Sequence, residues 1–315
     1  MVLVKIGTRG SPLAMWQAEH VSESLQKISG GALTTEILTF KTSGDQLTTE
    51  RLINSGGKGL FTKEIDLAVD DGRVDIAVHS LKDVPSLLPP GQSLVAFSAR
   101  EDPREGFLCT KASSPMDLPE GAIVGTASLR REAQTLAMRP DLKIVPFRGT
   151  VGTRMRKLEE GQADATYLAM AGLVRMGMAD QAHAIEIEDM LPSPCQGIVA
   201  IAARANTLEP SVAAALAEFN DTASATCAAI ERAYLAALDG SCRTPIAGHA
   251  RIKGDMIHFE GAVFAVDGKE VWRSERSMAL ADATPASLKA LGEAAALEIK
   301  ESAGGSLPQF EDPVA

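Results

Sequence analysis

In the first part of the chain, apolar residues come as short strand-like runs, each followed by a stretch with helical spacing. Val4-Lys5-Ile6-Gly7 is the first such run, and it leads through a Gly-Thr turn to a helix start at Ser11-Pro12. Met15 to Ile28 then reads as a helix with Pro12 at an early position. Phe61 to Val69 carries Phe61, Ile65, Ala68 and Val69 at spacings of three and four. Val151 to Leu158 puts Val151, Met155 and Leu158 on one helical face. Strands alternating with such helices predict βαβ units and largely parallel sheets.

The pattern repeats. The strand and Gly-Thr turn at Gly7-Thr8 return 118 positions on at Gly125-Thr126, followed by Ser128-Leu129-Arg130. Ile37-Leu38-Thr39-Phe40-Lys41 is echoed by Ile144-Val145-Pro146-Phe147-Arg148, and Asp75-Ile76-Ala77-Val78 by Asp164-Ala165-Thr166-Tyr167. Three echoes in one order predict two related α/β lobes. The first lobe has a polar surplus, Thr42 to Gly59, which reads as a long loop and a candidate lid.

The tail follows another pattern. Thr222 to Leu238 is Ala-rich and helical, with Asp239-Gly240 as its stop. Three alternating runs between His249 and Leu280, separated by Gly254-Asp255 and Asp267-Gly268, predict an antiparallel meander. Thr284-Pro285 caps a last helix over about Ala286 to Lys300. A small α+β domain follows the two α/β lobes.

Composition narrows the class. With 315 residues, 45% hydrophobic and 23% charged, the chain has the length for two or three domains and the material for their cores. No apolar stretch approaches the ~20 residues of a membrane span. The N-terminus reads directly as a strand, so a soluble, cytoplasmic protein with no membrane partner is expected. Cys109, Cys195, Cys227 and Cys242 show no metal-type spacing, so neither a metal site nor a disulfide framework is expected.

Net charge is −10, which argues against nucleic acid as a partner, as does an aromatic content of 4%. Yet between Ala122 and Lys157 lie Arg130, Arg131, Arg139, Lys143, Arg148, Arg154, Arg156 and Lys157, opposed only by Glu132 and Asp141. Such a cluster is either a solvated basic face or a clamp for carboxylates and phosphates. In open α/β sheets, ligands bind at the carboxyl ends of strands. Thr8, Arg9 and Ser11 follow the first strand, Thr126, Ser128, Arg130 and Arg131 follow its echo, and Arg148, Thr150 and Arg154 follow the next. These positions favour a ligand with several carboxylates. Gly56-Gly57-Lys58-Gly59 lacks phosphate-loop spacing.

A third strand runs into His79-Ser80-Leu81-Lys82-Asp83. Asp83 beside Lys82 reads equally as a surface ion pair or as a carboxylate held for proton transfer and cation stabilisation. His79 alone reads as a structural histidine. Cys242, in the loop Gly240-Ser241-Cys242-Arg243, is better placed than Cys227 to be an exposed thiol, and Arg243 would favour its thiolate.

Taken in order, Thr8-Arg9-Gly10-Ser11-Pro12-Leu13-Ala14, Gly57-Lys58-Gly59-Leu60-Phe61, His79-Ser80-Leu81-Lys82-Asp83-Val84-Pro85, Gly125-Thr126-Ala127-Ser128-Leu129-Arg130-Arg131 and Gly240-Ser241-Cys242 closely resemble the porphobilinogen deaminases, or hydroxymethylbilane synthases. The resemblance implies two lobes like type II periplasmic binding proteins plus a small α+β C-terminal domain. It implies a discontinuous first lobe, 1–98 with 195–215, a second lobe, 99–194, and a third domain, 216–315, with the crossing near Leu191 to Ala203. The implied protein is a cytoplasmic monomer in tetrapyrrole and haem biosynthesis. The implied reaction joins four porphobilinogens head to tail with loss of ammonia, and hydrolysis frees linear hydroxymethylbilane. The primer is a dipyrromethane cofactor held by a thioether to Cys242.

By the same resemblance, Asp83, Lys82 and Arg9 carry the chemistry. Loss of ammonia leaves an electron-poor methylene-pyrrolenine, and Asp83 would face pyrrole N–H groups and stabilise the developing positive charge. Cys242, Lys82, Asp83, Thr126, Ser128, Arg130, Arg131, Arg154 and Gln196 would hold the cofactor. Arg9, Ser11, Lys58, Arg148, Arg154 and Arg175 would meet porphobilinogen and the elongating polypyrrole, with Lys58 on the closing loop. The sequence departs from the commoner pattern at Ala127, Thr150, Ser241 and Cys195. The rival reading is a non-catalytic binder of organic polycarboxylates, which would need neither Asp83 nor Cys242.

Overall fold

The computed structural model describes residues 1–46, 59–238 and 244–308. Chain contacts gather them into two units, the first from residues 1–46, 59–101 and 197–225, the second from residues 102–196, 226–238 and 244–308.

In chain order the first unit opens with β1 (Val2–Arg9), α1 (Pro12–Ile28), β2 (Leu33–Phe40), α2 (Ser43–Gln46), α3 (Lys63–Asp70), β3 (Ile76–Ser80) and β4 (Gln92–Phe97). The second unit begins with β5 (Glu105–Leu108), β6 (Ile123–Gly125), α4 (Leu129–Met138), β7 (Lys143–Val145), α5 (Val151–Glu159), β8 (Ala165–Ala169), α6 (Met170–Arg175) and β9 (His183–Ile185). Then β10 (Val199–Arg204) and α7 (Pro210–Phe219) return to the first unit, and α8 (Thr222–Ala237) follows. The chain ends in β11 (Ile246–Lys253), β12 (Met256–Phe264), β13 (Val271–Ala279) and α9 (Pro285–Ala303).

The first sheet has the order β2-β1-β3-β10-β4 and the second β7-β6-β8-β5-β9. In each, the first three strands are parallel and the fourth is antiparallel to its neighbours. The sequence echo is matched residue for residue. Ile6 and Gly7 pair with Ile76 and Ala77, as Val124 and Gly125 pair with Ala165 and Thr166. The Lys5 N–H donates to the Asp75 carboxylate at 2.8 Å, and the Ile123 N–H to Asp164 at 2.8 Å. Gly125 is required here, because a Cβ would sit 2.5 Å from the Phe147 ring.

Both faces of the first sheet are covered at its centre, which is why β3 and β10 are apolar along most of their length. Ile6, Ile76, Val78 and Ile201 pack with Val21 and Leu25 of α1 and Leu216 of α7. Ala77 and Ala202 face Ile65, Ala68 and Val69 of α3. The second sheet buries Phe107, Val124 and Tyr167 on one side. On the other side Leu108 and Leu168 meet Val151, Met155 and Leu158 of α5, the face set by their spacing.

The C-terminal strands form the expected meander in the order β11-β12-β13. Ile257 and Phe259 pack on Ile230 and Tyr234 of α8 and on Ala295 and Ile299 of α9. Ala133 of α4 and Leu191 share a further cluster with Ala247, Ala262 and Phe264. That packing joins the meander to the second sheet within one unit. Helix ends follow the polar signals: Ser11, Ser128, Thr150 and Thr284 cap α1, α4, α5 and α9.

Candidate active site

β1 and β3 lie side by side, so the residues just past them share one end of the first sheet. β3 runs into a single 3-10 turn, Leu81–Asp83. The Leu81 N–H donates to the Ile198 carbonyl at 2.9 Å, and the Val84 N–H to the Leu81 carbonyl at 3.1 Å. This anchoring presents Lys82 and Asp83 half-buried at the strand end. With Arg9, Ser11, Gln17, Phe61, His79 and Ser80 they line a pocket of about 90 Å³. The Arg9 guanidinium lies 4.6 Å from the centre of the Phe61 ring. Gln17, 2% exposed, donates to the Ser80 hydroxyl at 2.8 Å. Ser11 accepts from the Ala14 N–H at 3.4 Å, so its hydroxyl also caps α1. Burial, reinforced by the Arg9 charge, pulls the His79 imidazole from its ordinary 6.5 to about 4. It is neutral near pH 7.

The second unit holds the guanidiniums. Glu105 is fully buried and receives both Arg130 and Arg131. Arg131 reaches it through Nε at 2.9 Å and Nη2 at 2.6 Å, and gives Nη1 to the Tyr167 carbonyl at 3.0 Å. Arg130 gives Nη1 to the Leu191 carbonyl at 2.9 Å. Gln196 donates to Glu105 at 3.1 Å and to the Pro103 carbonyl at 2.8 Å. Arg130 and Arg131, expected to meet ligand carboxylates directly, are therefore also the counter-ions of an internal carboxylate. Desolvation lowers the Arg130 pKa.

Arg148 and Arg154 add to this charge. Burial, then Arg131 and Arg148, pull Arg154 down to about 10. It stays cationic at neutral pH, in a field of like charges that an anion would relieve. The turn bearing Arg148 is held by Arg154 Nε on the Gly149 carbonyl at 3.0 Å and by Lys157 Nζ on the Arg148 carbonyl at 3.0 Å. Thr150 caps α5 by accepting from the Thr153 N–H at 3.3 Å. Ser128 accepts the Arg131 N–H at 3.4 Å, and Thr126 is buried at the end of β6. Arg175 closes α6, half-buried. Lys58 and Cys242 lie outside the described residues, as does most of the expected lid.

Sequence reasoning missed Glu105, Gln17, Phe61 and Ser80 as site residues. Glu105 follows Asp102-Pro103-Arg104, a charged run that reads as surface. Gln17 is polar within a regular helix, which marks an outer face unless the neighbouring strand end is known. Ser80 carried a signal, since it sits between His79 and Lys82.

The donors of each unit, taken by itself, suit carboxylates, and a dipyrromethane with acetate and propionate arms is a polycarboxylate. Among the described residues, no group of three His, Cys, Asp or Glu could hold a metal, and no helix is long and apolar enough to cross a membrane.

Comparison with known proteins agrees with the geometry. Residues 4–210 match the family model described as the porphobilinogen deaminase dipyrromethane cofactor binding domain, and residues 225–301 match that of its C-terminal domain. A porphobilinogen deaminase of Nitrobacter hamburgensis is 47% identical over 96% of this chain and 94% of its own. One from Nitrobacter winogradskyi is 48% identical over the same shares. Among solved structures, a TRAP periplasmic solute binding protein from Desulfovibrio salexigens is a remote likeness. It has 12% identity and a TM-score of 0.44 over 70% of this chain and 72% of its own. The chain belongs to the porphobilinogen deaminase family of hydroxymethylbilane-forming transferases, and its first 210 residues contain that family's dipyrromethane-binding domain.

Proposed function

We propose that this chain joins four porphobilinogens head to tail, each addition forming one C–C bond, breaking one C–N bond and releasing one ammonia, before hydrolysis frees hydroxymethylbilane. The observation that carries the residue assignment is the pocket where Arg9, Lys82 and Asp83 converge at the ends of β1 and β3. The dipyrromethane, bound as a thioether to Cys242, supplies the nucleophilic pyrrole α-carbon at which the chain grows.

The remaining roles belong to the protein. Arg9 and Lys82 attract the substrate carboxylates, with Ser11 as a hydroxyl partner. The Asp83 carboxylate accepts pyrrole N–H groups and stabilises the cationic charge that develops as ammonia leaves. Arg148 and Arg154 hold acetate and propionate arms, joined by Thr126, Ser128, Arg175 and Lys58. Arg130 and Arg131 add their charge from positions fixed by Glu105, and Gln196 ties that carboxylate to the crossing segment.

The proposed organisation has residues 1–98 with 195–215 and residues 99–194 as the two lobes, and 216–315 as the attachment domain. The proposed working form is a cytoplasmic monomer. The test is incubation of purified protein with porphobilinogen. Four ammonias per hydroxymethylbilane are expected, and uptake of porphobilinogen without ammonia release would support the polycarboxylate-binding alternative instead.

A further inference from the structure

We propose that His79 is a substrate-contact residue whose imidazole hydrogen-bonds the pyrrole that enters the pocket of Arg9, Lys82 and Asp83. The inference rests on the functional reading above and adds a residue to it.

Two observations carry it. His79 is the penultimate residue of β3 and is one of the residues that line the pocket. The side chain is 6% exposed, and its enclosed Nε2 has no hydrogen-bond partner. Buried polar atoms are nearly always paired, and an exception needs a reason. A core position would be better filled by an aliphatic residue, as at Ala77 two residues earlier on the same face. An imidazole kept there unpaired is explained if its partner arrives with the ligand.

The chemistry suits porphobilinogen. Arg9 and Lys82 supply positive charge for carboxylates, and Asp83 supplies a negative one. A protonated imidazole would crowd the two cations, whereas burial and Arg9 keep His79 neutral. Neutral imidazole has one donor and one acceptor nitrogen, and its choice of tautomer lets Nε2 meet either a pyrrole N–H or a carboxylate oxygen.

The test compares His79→Leu and His79→Asn with the wild type, in holoenzyme whose mass shows the cofactor in place. A structural histidine and a ligand contact predict different combinations. Removing an unpaired polar atom should raise the melting temperature of His79→Leu by a few degrees under either reading. Under ours the stabilised variant also binds porphobilinogen more weakly, with KM up about tenfold, the loss expected for one hydrogen bond. His79→Asn, which keeps a polar head, recovers part of that loss. A His79→Leu enzyme with wild-type KM and kcat overturns the proposal.

If His79→Leu does not fold, 15N-histidine spectra of an Asp83→Ala protein decide. Porphobilinogen should shift the His79 ring nitrogens, assigned by their absence in the Asp83→Ala, His79→Asn double variant, and unmoved signals at saturation overturn the contact. Wild-type protein that leaves porphobilinogen untouched would instead overturn the functional reading, and this contact with it.

Discussion

Glu105 has no exposed surface and holds Arg130 and Arg131, themselves 6% and 7% exposed. Truncating one partner of such a group leaves buried charge uncompensated, which costs about 3–5 kcal/mol. Urea denaturation of Glu105→Ala should show a loss of that order, whereas a loss under about 1 kcal/mol would mean that water already solvates the pair. Asp83 belongs to the opposite class, being half-buried at a pocket edge. Asp83→Ala should fold with near-normal stability and lose almost all turnover in an ammonia-release assay. Near-normal turnover would remove Asp83 from the mechanism.

His79 sets a pH dependence. Its unfolded form takes a proton near 6.5 and its folded form only near 4, so its contribution to stability is complete above pH 6.5 and is lost as pH falls toward 4. Arg9, Lys82 and Asp83 line the same pocket and are unchanged in His79→Leu, so the difference between the two proteins isolates the imidazole. Denaturation midpoints of His79→Leu should fall less between pH 6.5 and 4 than those of the wild type. Parallel curves would contradict the burial argument.

At the scale of elements, much of the fold was legible because its signals are local. Proline and hydroxyl caps fixed helix starts at Ser11-Pro12 and Thr284-Pro285, and the Gly254-Asp255 and Asp267-Gly268 turns divided the meander. The paired echo was legible because Asp75 and Asp164 each accept a strand N–H, a need that preserves residue type at matching places. Asp75→Ala and Asp164→Ala should therefore cost similar amounts, each about 1–2 kcal/mol in urea denaturation. A clear inequality would show that the likeness is one of sequence rather than energetics.

β4, β5, β9 and β10 escaped the pattern reading. β10 is apolar on both faces because α3 packs on one side and α1 and α7 on the other, and such a run lacks a period. Cys195 shows a similar limit. Its φ of +65° lies in the left-handed region, uncommon for a residue with a side chain, and only the backbone reveals that demand.

For the whole molecule, the informative contrast lies between a net charge of −10 and the guanidiniums gathered around Glu105. Sequence spacing placed those arginines at strand ends. It could not say which would be tied to a buried carboxylate, since that depends on β5 pairing with β8. Nor did pattern alone decide between a solvated basic face and an anion clamp, because both need the same residues. Arg154, whose pKa is lowered first by burial and then by Arg131 and Arg148, does not belong to a freely solvated face. The family match then supplies the anion class.

The central claim is that the chain carries its own primer on Cys242, and intact mass tests it most directly. Purified protein should exceed its sequence mass by two porphobilinogens less two ammonias, with the excess on the tryptic peptide Ala233 to Arg243. An unmodified mass that stays unmodified after incubation with porphobilinogen would contradict the account.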